Sequence, residues 1–276
     1  MDTLTLEKRA QLTALIDELN TFPTYVKIVR CEEAIGLDPT VEADRDRMDT
    51  ALAGAWALNR LLLYLNRLRS LNEERMQLGV AIRELKRDPF PTTAEEVETA
   101  ARASVLAPHF AGELEVVVNF FCVSVQHIRS LLKVVAEAIG YEICKDDLDY
   151  LDEFRVLRNH FEHWYSRLPG KVGEAGLVTK SVTADGYHVW GGLQSDAKDR
   201  AIVIEPKKSG PVTHVVDVTN SGVARIEKIV QETTAQVGKQ SVERVRAHFI
   251  AHLEKDIPLP ESIDQDFLID VGGFEP

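Results

Sequence analysis

Residues 110–139 read FAGELEVVVNFFCVSVQHIRSLLKVVAEAI, and their spacing decides the fold. Phe110, Leu114, Val117, Phe121, Val125, Ile128, Leu132, Val135 and Ile139 recur at steps of three and four. That is the period of an α-helix rather than of a strand. The apolar face is long and rich in aromatic residues, so this segment is expected to form the core helix of a bundle. Pro108 stands just ahead of it and is expected to mark its start. Gly140 supplies a natural end.

Helical spacing extends on both sides. Upstream, a long helix is expected from about Val41 to Arg87, with a stripe of Met48, Leu52, Trp56, Leu62 and Leu65. Pro89 and Pro91 bracket a break. Thr93 followed by Glu96 is a capping-box pattern that opens a further helix. Leu4, Leu12, Leu15, Ile16 and Leu19 predict a short first helix that Pro23 ends, and Tyr25–Leu37 fits strand or helix equally. Downstream, a helix is expected from about Asp146 to Arg167. Its apolar stripe is Phe154, Leu157, Phe161, Trp164 and Leu168, closed by Pro169-Gly170.

The composition then shifts. Leu177–Val182, Tyr187–Trp190, Ala201–Glu205 and Thr213–Val218 are short β-like runs, punctuated by Asp185-Gly186 and Ser209-Gly210-Pro211 turns. They predict a small antiparallel sheet inserted between helices. Helical spacing returns at Val223, Ile226, Val230 and Val237, and resumes after Gly238 with Val242, Val245, Phe249 and Leu253. The expected fold is mainly α: a helical bundle with a small antiparallel β insertion and C-terminal helices. Its segments are an N-terminal helical part (1–40), the bundle (41–172), the β insert (173–220), C-terminal helices packing on the bundle (221–257) and an irregular tail (258–276).

The 276 residues carry 44 acidic and 32 basic side chains, a formal net charge of -12. Acidity of this size disfavours non-specific binding to phosphate backbones and counts against a general nucleic-acid coat protein, while leaving room for a local basic site. Cys31, Cys122 and Cys144 are too few and too scattered for a disulfide framework or a metal knuckle, which predicts a reducing, cytoplasmic setting. The start, MDTLTLEKRAQL, lacks a basic stretch followed by an apolar one, so no signal peptide is expected. The richest apolar run, Val116–Val125, is interrupted by Asn119 and short for a bilayer, so no membrane association is expected.

One short stretch carries chemistry: Arg158-Asn159-His160-Phe161-Glu162-His163-Trp164-Tyr165. An Arg followed four to six residues later by a His is a common accident. The chain has four such pairs: Arg102/His109, Arg155/His160, Arg158/His163 and Arg246/His252. Arg158/His163 stands apart because Asn follows the Arg directly and Tyr165 follows the His after one residue. It also lies on an amphipathic helix that follows a long core helix.

In these residues the chain resembles the HEPN superfamily of all-helical domains, in the form found in its toxin branch. The likeness covers about residues 41–168, with its specificity in 158–165. The resemblance implies a metal-independent ribonuclease that needs no cofactor. His163 would be the general acid or base for attack of a ribose 2′-OH on the adjacent phosphate. Arg158 would bind that phosphate, and Asn159 would orient the histidine. Imidazole titrates near neutrality, and guanidinium meets phosphate oxygens two at a time, so the residue types suit those roles. Tyr165 would be a regulatory target of a nucleotidyltransferase or other antitoxin partner. On a straight helix Arg158 and His163 stand roughly 140° apart, so a composite site across a homodimer, with RNA as substrate, is the expected arrangement.

Other readings of the same residues stand beside this one. The runner-up is a non-catalytic HEPN-like scaffold for dimerisation or partner binding. Arg158 and Glu162 have the spacing of an ordinary helical ion pair. His160 and His163, with Glu162 nearby, suggest a metal site, although His-x-Glu-His is not the usual helical zinc spacing. Tyr165 also suits a boundary position. A core-helix polar residue is expected to join the motif, with Glu113, Asn119 and Gln126 as candidates. The basic residues Arg60, Arg67, Arg69, Arg75, Arg83, Lys86 and Arg87 read as a solvated face, interrupted by Glu73, Glu74 and Glu84, rather than an RNA track. Tyr187 and Trp190 read as packing rather than base-stacking residues.

Overall fold

The computed structural model describes residues 3–37, 40–85, 90–162, 194–195, 200–205 and 212–252. It is a mainly α helical bundle. The elements are α1 (Thr3–Thr21), α2 (Thr24–Ile35), α3 (Glu42–Glu84), α4 (Ala94–Ile139), α5 (Lys145–Glu162), β1 (Gln194–Ser195), β2 (Ala201–Glu205), β3 (Val212–Val216) and α6 (Asn220–His252). The ambiguous stretch after Pro23 is helix α2, ended by Gly36 in the left-handed conformation.

Two compact units divide the chain. One comprises residues 1–60, 131–143 and 231–276, the other 61–130 and 144–230. In the first, Leu12, Leu15, Ile16 and Leu19 of α1 pack with Cys31 and Ala34 of α2 and with Val242, Val245 and Phe249 of α6. Glu32 of α2 is buried and held from two sides, by Arg47 at 2.8 Å and Arg244 at 2.7 Å. Cys31 sits in this apolar setting, where burial pushes its thiol up to about 12.

The second unit is built on α4. Leu114, Val117, Phe121, Val125 and Ile128 are buried as their period predicts, and so are Phe154, Leu157 and Phe161 of α5. Phe121 and Phe154 meet at 5.9 Å between ring centroids, and Tyr150 meets Phe154 edge-on at 5.6 Å. Cys122 is a buried core residue. The three strands form an antiparallel sheet in the order β1-β2-β3, with Glu205 opposite Val212 at one end and Ala201 opposite Val216 at the other. Both β2 and β3 pack against α5. Ala201–Glu205 and most of Thr213–Val218 are thus strands as expected. The runs 177–182 and 187–190, Tyr187 and Trp190 with them, and the tail from 258 lie outside the described residues.

The structure corrects several expectations. Pro108 does not start a helix; α4 runs through it from Ala94 to Ile139. A proline removes one ladder bond, and here a capping box upstream and a long buried face downstream outweigh that loss. The expected stripe on α3 is misplaced in part: Leu65 is buried, but Trp56 is 50% exposed and Leu62 41%. The buried positions are the smaller Ala51, Ala55 and Ala57 with Leu58 in the first unit, and Leu61, Leu65, Leu68 and Leu71 in the second. Trp56 instead lies beneath the Arg60 guanidinium, 4.7 Å from its ring centre. Gly238 does not separate two C-terminal helices; α6 is continuous through it. A side chain there would come within 3.2 Å of Thr24, so the glycine serves the close approach of α2. The Val116–Val125 run, short by itself, belongs to a 46-residue helix. Among the described residues α4 is the one helix long and apolar enough to cross a membrane by length and composition, a property that core helices share.

Candidate functional site

The motif helix α5 is fixed against α4 by three contacts that set direction and register. Gln126 Nε2 donates to the Leu151 carbonyl oxygen at 2.8 Å, Arg129 Nη2 pairs with Asp152 Oδ2 at 2.7 Å, and Phe121 meets Phe154. Leu151 meets Gln126 and Phe154 meets Phe121, so between these two contacts numbers fall along α4 as they rise along α5, and the two helices are antiparallel. Continued at 1.5 Å per residue, this register brings the last turn of α5, Arg158–Glu162, level with the α4 segment around Glu115 and Asn119.

Arg158 and Asn159 are both partly exposed, while Leu157 and Phe161 beside them are buried. The helix therefore turns its apolar side inward and keeps the first two motif residues at its edge. Arg158 takes part in an interaction of its own. Asn159 lies seven residues after Asp152, two turns along the line that reaches α4 through Arg129. His160 and Glu162 belong to α5, but their side chains lie outside the described residues, and so do His163, Trp164 and Tyr165. The ion-pair reading of Arg158 with Glu162 and the paired-histidine reading fall there too. Among the described residues, no three His, Cys, Asp or Glu side chains cluster closely enough to hold a metal ion.

The core-helix candidates separate clearly. Gln126 is spent on the Leu151 carbonyl. Glu113 is exposed and pairs with His109 one turn earlier, at 3.2 Å. Asn119 differs: its Oδ1 is buried with no hydrogen-bond partner among the described residues. Leaving an amide oxygen in that state costs about 1–3 kcal/mol. Glu115, one turn before Asn119 and missed by the sequence reading, is half-buried, and burial pushes its carboxyl above the usual range. Residues 115, 119 and 126 fall on one side of α4, the side from which Gln126 reaches α5.

A second polar junction, of which no local pattern is a sign, joins α5, β3 and the start of α6. The Arg225 guanidinium stacks 3.7 Å over the Tyr150 ring. Burial raises the Tyr150 hydroxyl well above its ordinary range and also raises the Glu153 carboxyl, against the pull of His214 and Arg225. Asp217 goes the other way. Burial works to raise its carboxyl, but hydrogen bonds from Thr219 and Ser221 outweigh that and hold it low.

Three of the basic residues of α3 have hydrogen-bond partners. Arg69 bonds Glu227 and Asn66, Arg75 bonds Asn72, and Arg83 bonds the Gly79 carbonyl. His127 is exposed and stacks on Tyr64 at 4.7 Å. No family model, curated protein or solved structure matches the chain.

Proposed function

We propose that the chain is a HEPN-like, metal-independent ribonuclease of the toxin type, acting as a homodimer on RNA. The observation that supports this reading is the placement of the first two motif residues. Arg158 and Asn159 stand at the accessible edge of a helix whose opposite side is anchored in the core. Both side chains are partly exposed. Arg158 would neutralise the charge that grows on the phosphate oxygens. His163 would move a proton between the reacting oxygens, and Asn159 would orient it. Pairing of two motif helices across a dimer would supply one phosphate with groups that a single helix turns apart. Tyr165 would be the point at which a cognate nucleotidyltransferase or antitoxin silences the site.

The alternative is a HEPN-like scaffold that binds a partner without catalysis. The net charge of -12 favours it, and so do the partners that three of the α3 arginines already have. One experiment separates the two. Purified protein is incubated with RNA in EDTA, with His163→Ala and Arg158→Ala alongside. The ribonuclease reading expects cleavage by wild type to a 2′,3′-cyclic phosphate, and a loss of about a hundredfold or more in each variant. Equal cutting by the variants, or none by wild type, hands the case to the scaffold.

A further inference from the structure

Among the described residues α4 is the one helix apolar enough to cross a membrane, yet only 28% of its qualifying 18-residue stretch is buried. A core helix would bury most of it. The apolar surface left outside is ordered. Val105, Gly112, Val116, Phe120, Val123 and His127 recur at helical spacing and share one side of α4. Val105 is 70% exposed, Val116 54% and Phe120 53%. Around the helix Phe120 stands roughly 120° from Gln126 and 180° from Arg129, the two residues that reach α5. This stripe therefore faces away from the motif helix. An exposed apolar strip of this kind marks an interaction surface. Glu113 and Glu115 lie beside it, and carboxylates there are costly against hydrocarbon, so the surface suits a protein and not a bilayer.

Helix α3 borders the stripe. Tyr64 stacks on His127 with ring centroids 4.7 Å apart. The link between the helices, residues 85–93, spans at most roughly 30 Å. The stack can form only if α4 returns antiparallel along α3. Arg67, one turn beyond Tyr64, is therefore level with Ser124, one turn before His127. Leu63 beside it is 50% exposed. Arg67 is exposed and makes no hydrogen bond or ion pair among the described residues. Glu113, 47% exposed, lies about 16 Å along α4 from the level of Arg67. Its one contact there is His109 on the same helix, at 3.2 Å. The stripe thus has a spare cation near one end, an accessible carboxylate near the other, and an apolar centre.

We propose that this face binds a second copy of the chain, across a two-fold axis that meets α4 between Val116 and Phe120. The axis lays two α4 helices antiparallel, with Phe120 of one copy against the partner's Val116. Charge complementarity selects this occupant. The midpoint between Glu113 and the level of Arg67 falls between Val116 and Phe120, where the axis passes. One rotation therefore brings each Arg67 to the partner's Glu113, and the pair forms twice. A side chain at Gly112 would meet nothing within 4 Å, so the partner helix has room to approach. A different protein would need the same apolar centre and the same crossed charges, which a second copy already carries. The contact lies away from α5, so it is separate from any pairing of the motif helices and does not rest on the ribonuclease reading.

The test is the mass of the full chain in solution, by sedimentation equilibrium over a range of concentrations, with thermal melts to confirm folding. Phe120→Glu is expected to halve the mass of the wild-type assembly. If the motif helices also pair, the halving runs from tetramer to dimer; otherwise it runs from dimer to monomer. Arg67→Glu and Glu113→Arg each set like charges against one another and should raise the dissociation constant about tenfold or more. The double variant Arg67→Glu, Glu113→Arg restores opposite charges and should recover the wild-type assembly, a result that loss of folding cannot mimic. A wild type that stays monomeric at its highest soluble concentration overturns the proposal. So does a Phe120→Glu assembly of unchanged mass. If the single charge reversals weaken assembly and the double variant does not recover it, the two-fold contact is wrong. A monomer that cosediments with phosphatidylcholine vesicles, and loses this with Phe120→Glu, would give the face to a membrane instead.

Discussion

Gln126 reaches from α4 to the carbonyl oxygen of Leu151 on α5, 2.8 Å away, and so ties the motif helix to the core helix. The Leu151 carbonyl is already in the α5 ladder, so the amide uses its second lone pair. Replacing Gln126 by Leu removes the bond and leaves no unsatisfied group on α5. The expected cost is about 1 kcal/mol, measured as a shift in the urea midpoint without a change in slope. Arg129 and Asp152 hold the same register at 2.7 Å. The double change Gln126→Leu, Arg129→Met is therefore expected to cost more than the two singles together.

The start of α4 should respond to acid in a specific way. Glu96 accepts hydrogen bonds from the Thr92 and Thr93 backbone N–H groups at 2.7 and 2.9 Å and from the Thr92 hydroxyl, while its own N–H donates to Thr93 Oγ1. The backbone bonds hold its carboxyl down at about 2. A carboxyl with a lowered pKa in the folded state stabilises that state fully above its unfolded value near 4.5 and loses the contribution as pH falls toward 2. Wild type is therefore expected to melt above Glu96→Gln at pH 7, and the gap should close between about pH 4.5 and 2. A gap that stays constant across that window would show that Glu96 acts through packing and not as a charged acceptor.

What was legible in the sequence follows from how local each signal is. The buried face of α4 and the Thr93/Glu96 box depend on spacing within a few turns, and both appear where the periods place them. The α3 stripe fails for a physical reason. Trp56 outweighs its neighbours in hydrophobicity, yet helices approach most closely over small residues, and Ala51, Ala55 and Ala57 take the inside, while Leu62 lies in the run Leu61-Leu62-Leu63, of which Leu61 is the buried member. The candidate site was half legible. The motif could be read directly, but nothing in 110–139 says which side of α4 faces α5. Glu113, Asn119 and Gln126 are therefore equivalent in the sequence, and Glu115 carries no local mark that sets it apart. Only the contacts of Gln126 and Arg129 break that equivalence. The junction of Tyr150, Glu153, Asp217 and Arg225 joins residues more than sixty positions apart, beyond the reach of any local pattern.

A close helix approach in the first unit yields a prediction with a built-in control. Gly54 on α3 faces Ala138 on α4 so tightly that a methyl group at 54 would sit 2.5 Å from the Ala138 Cβ. In an open helix, glycine to alanine stabilises by about 1 kcal/mol through reduced freedom of the unfolded chain. Here the added carbon forces two packed backbones apart, and overpacking of that kind costs about 1–3 kcal/mol. The second effect wins because Ala138 has no flexible end that can swing away. Gly54→Ala is therefore expected to lower the melting temperature, and Ala138→Gly to cost helix propensity and a little packing. The double variant restores the space and should be more stable than the sum of the two losses predicts. Strict additivity in thermal or urea unfolding would mean that the two positions do not touch, and the tight α3–α4 crossing would have to be abandoned.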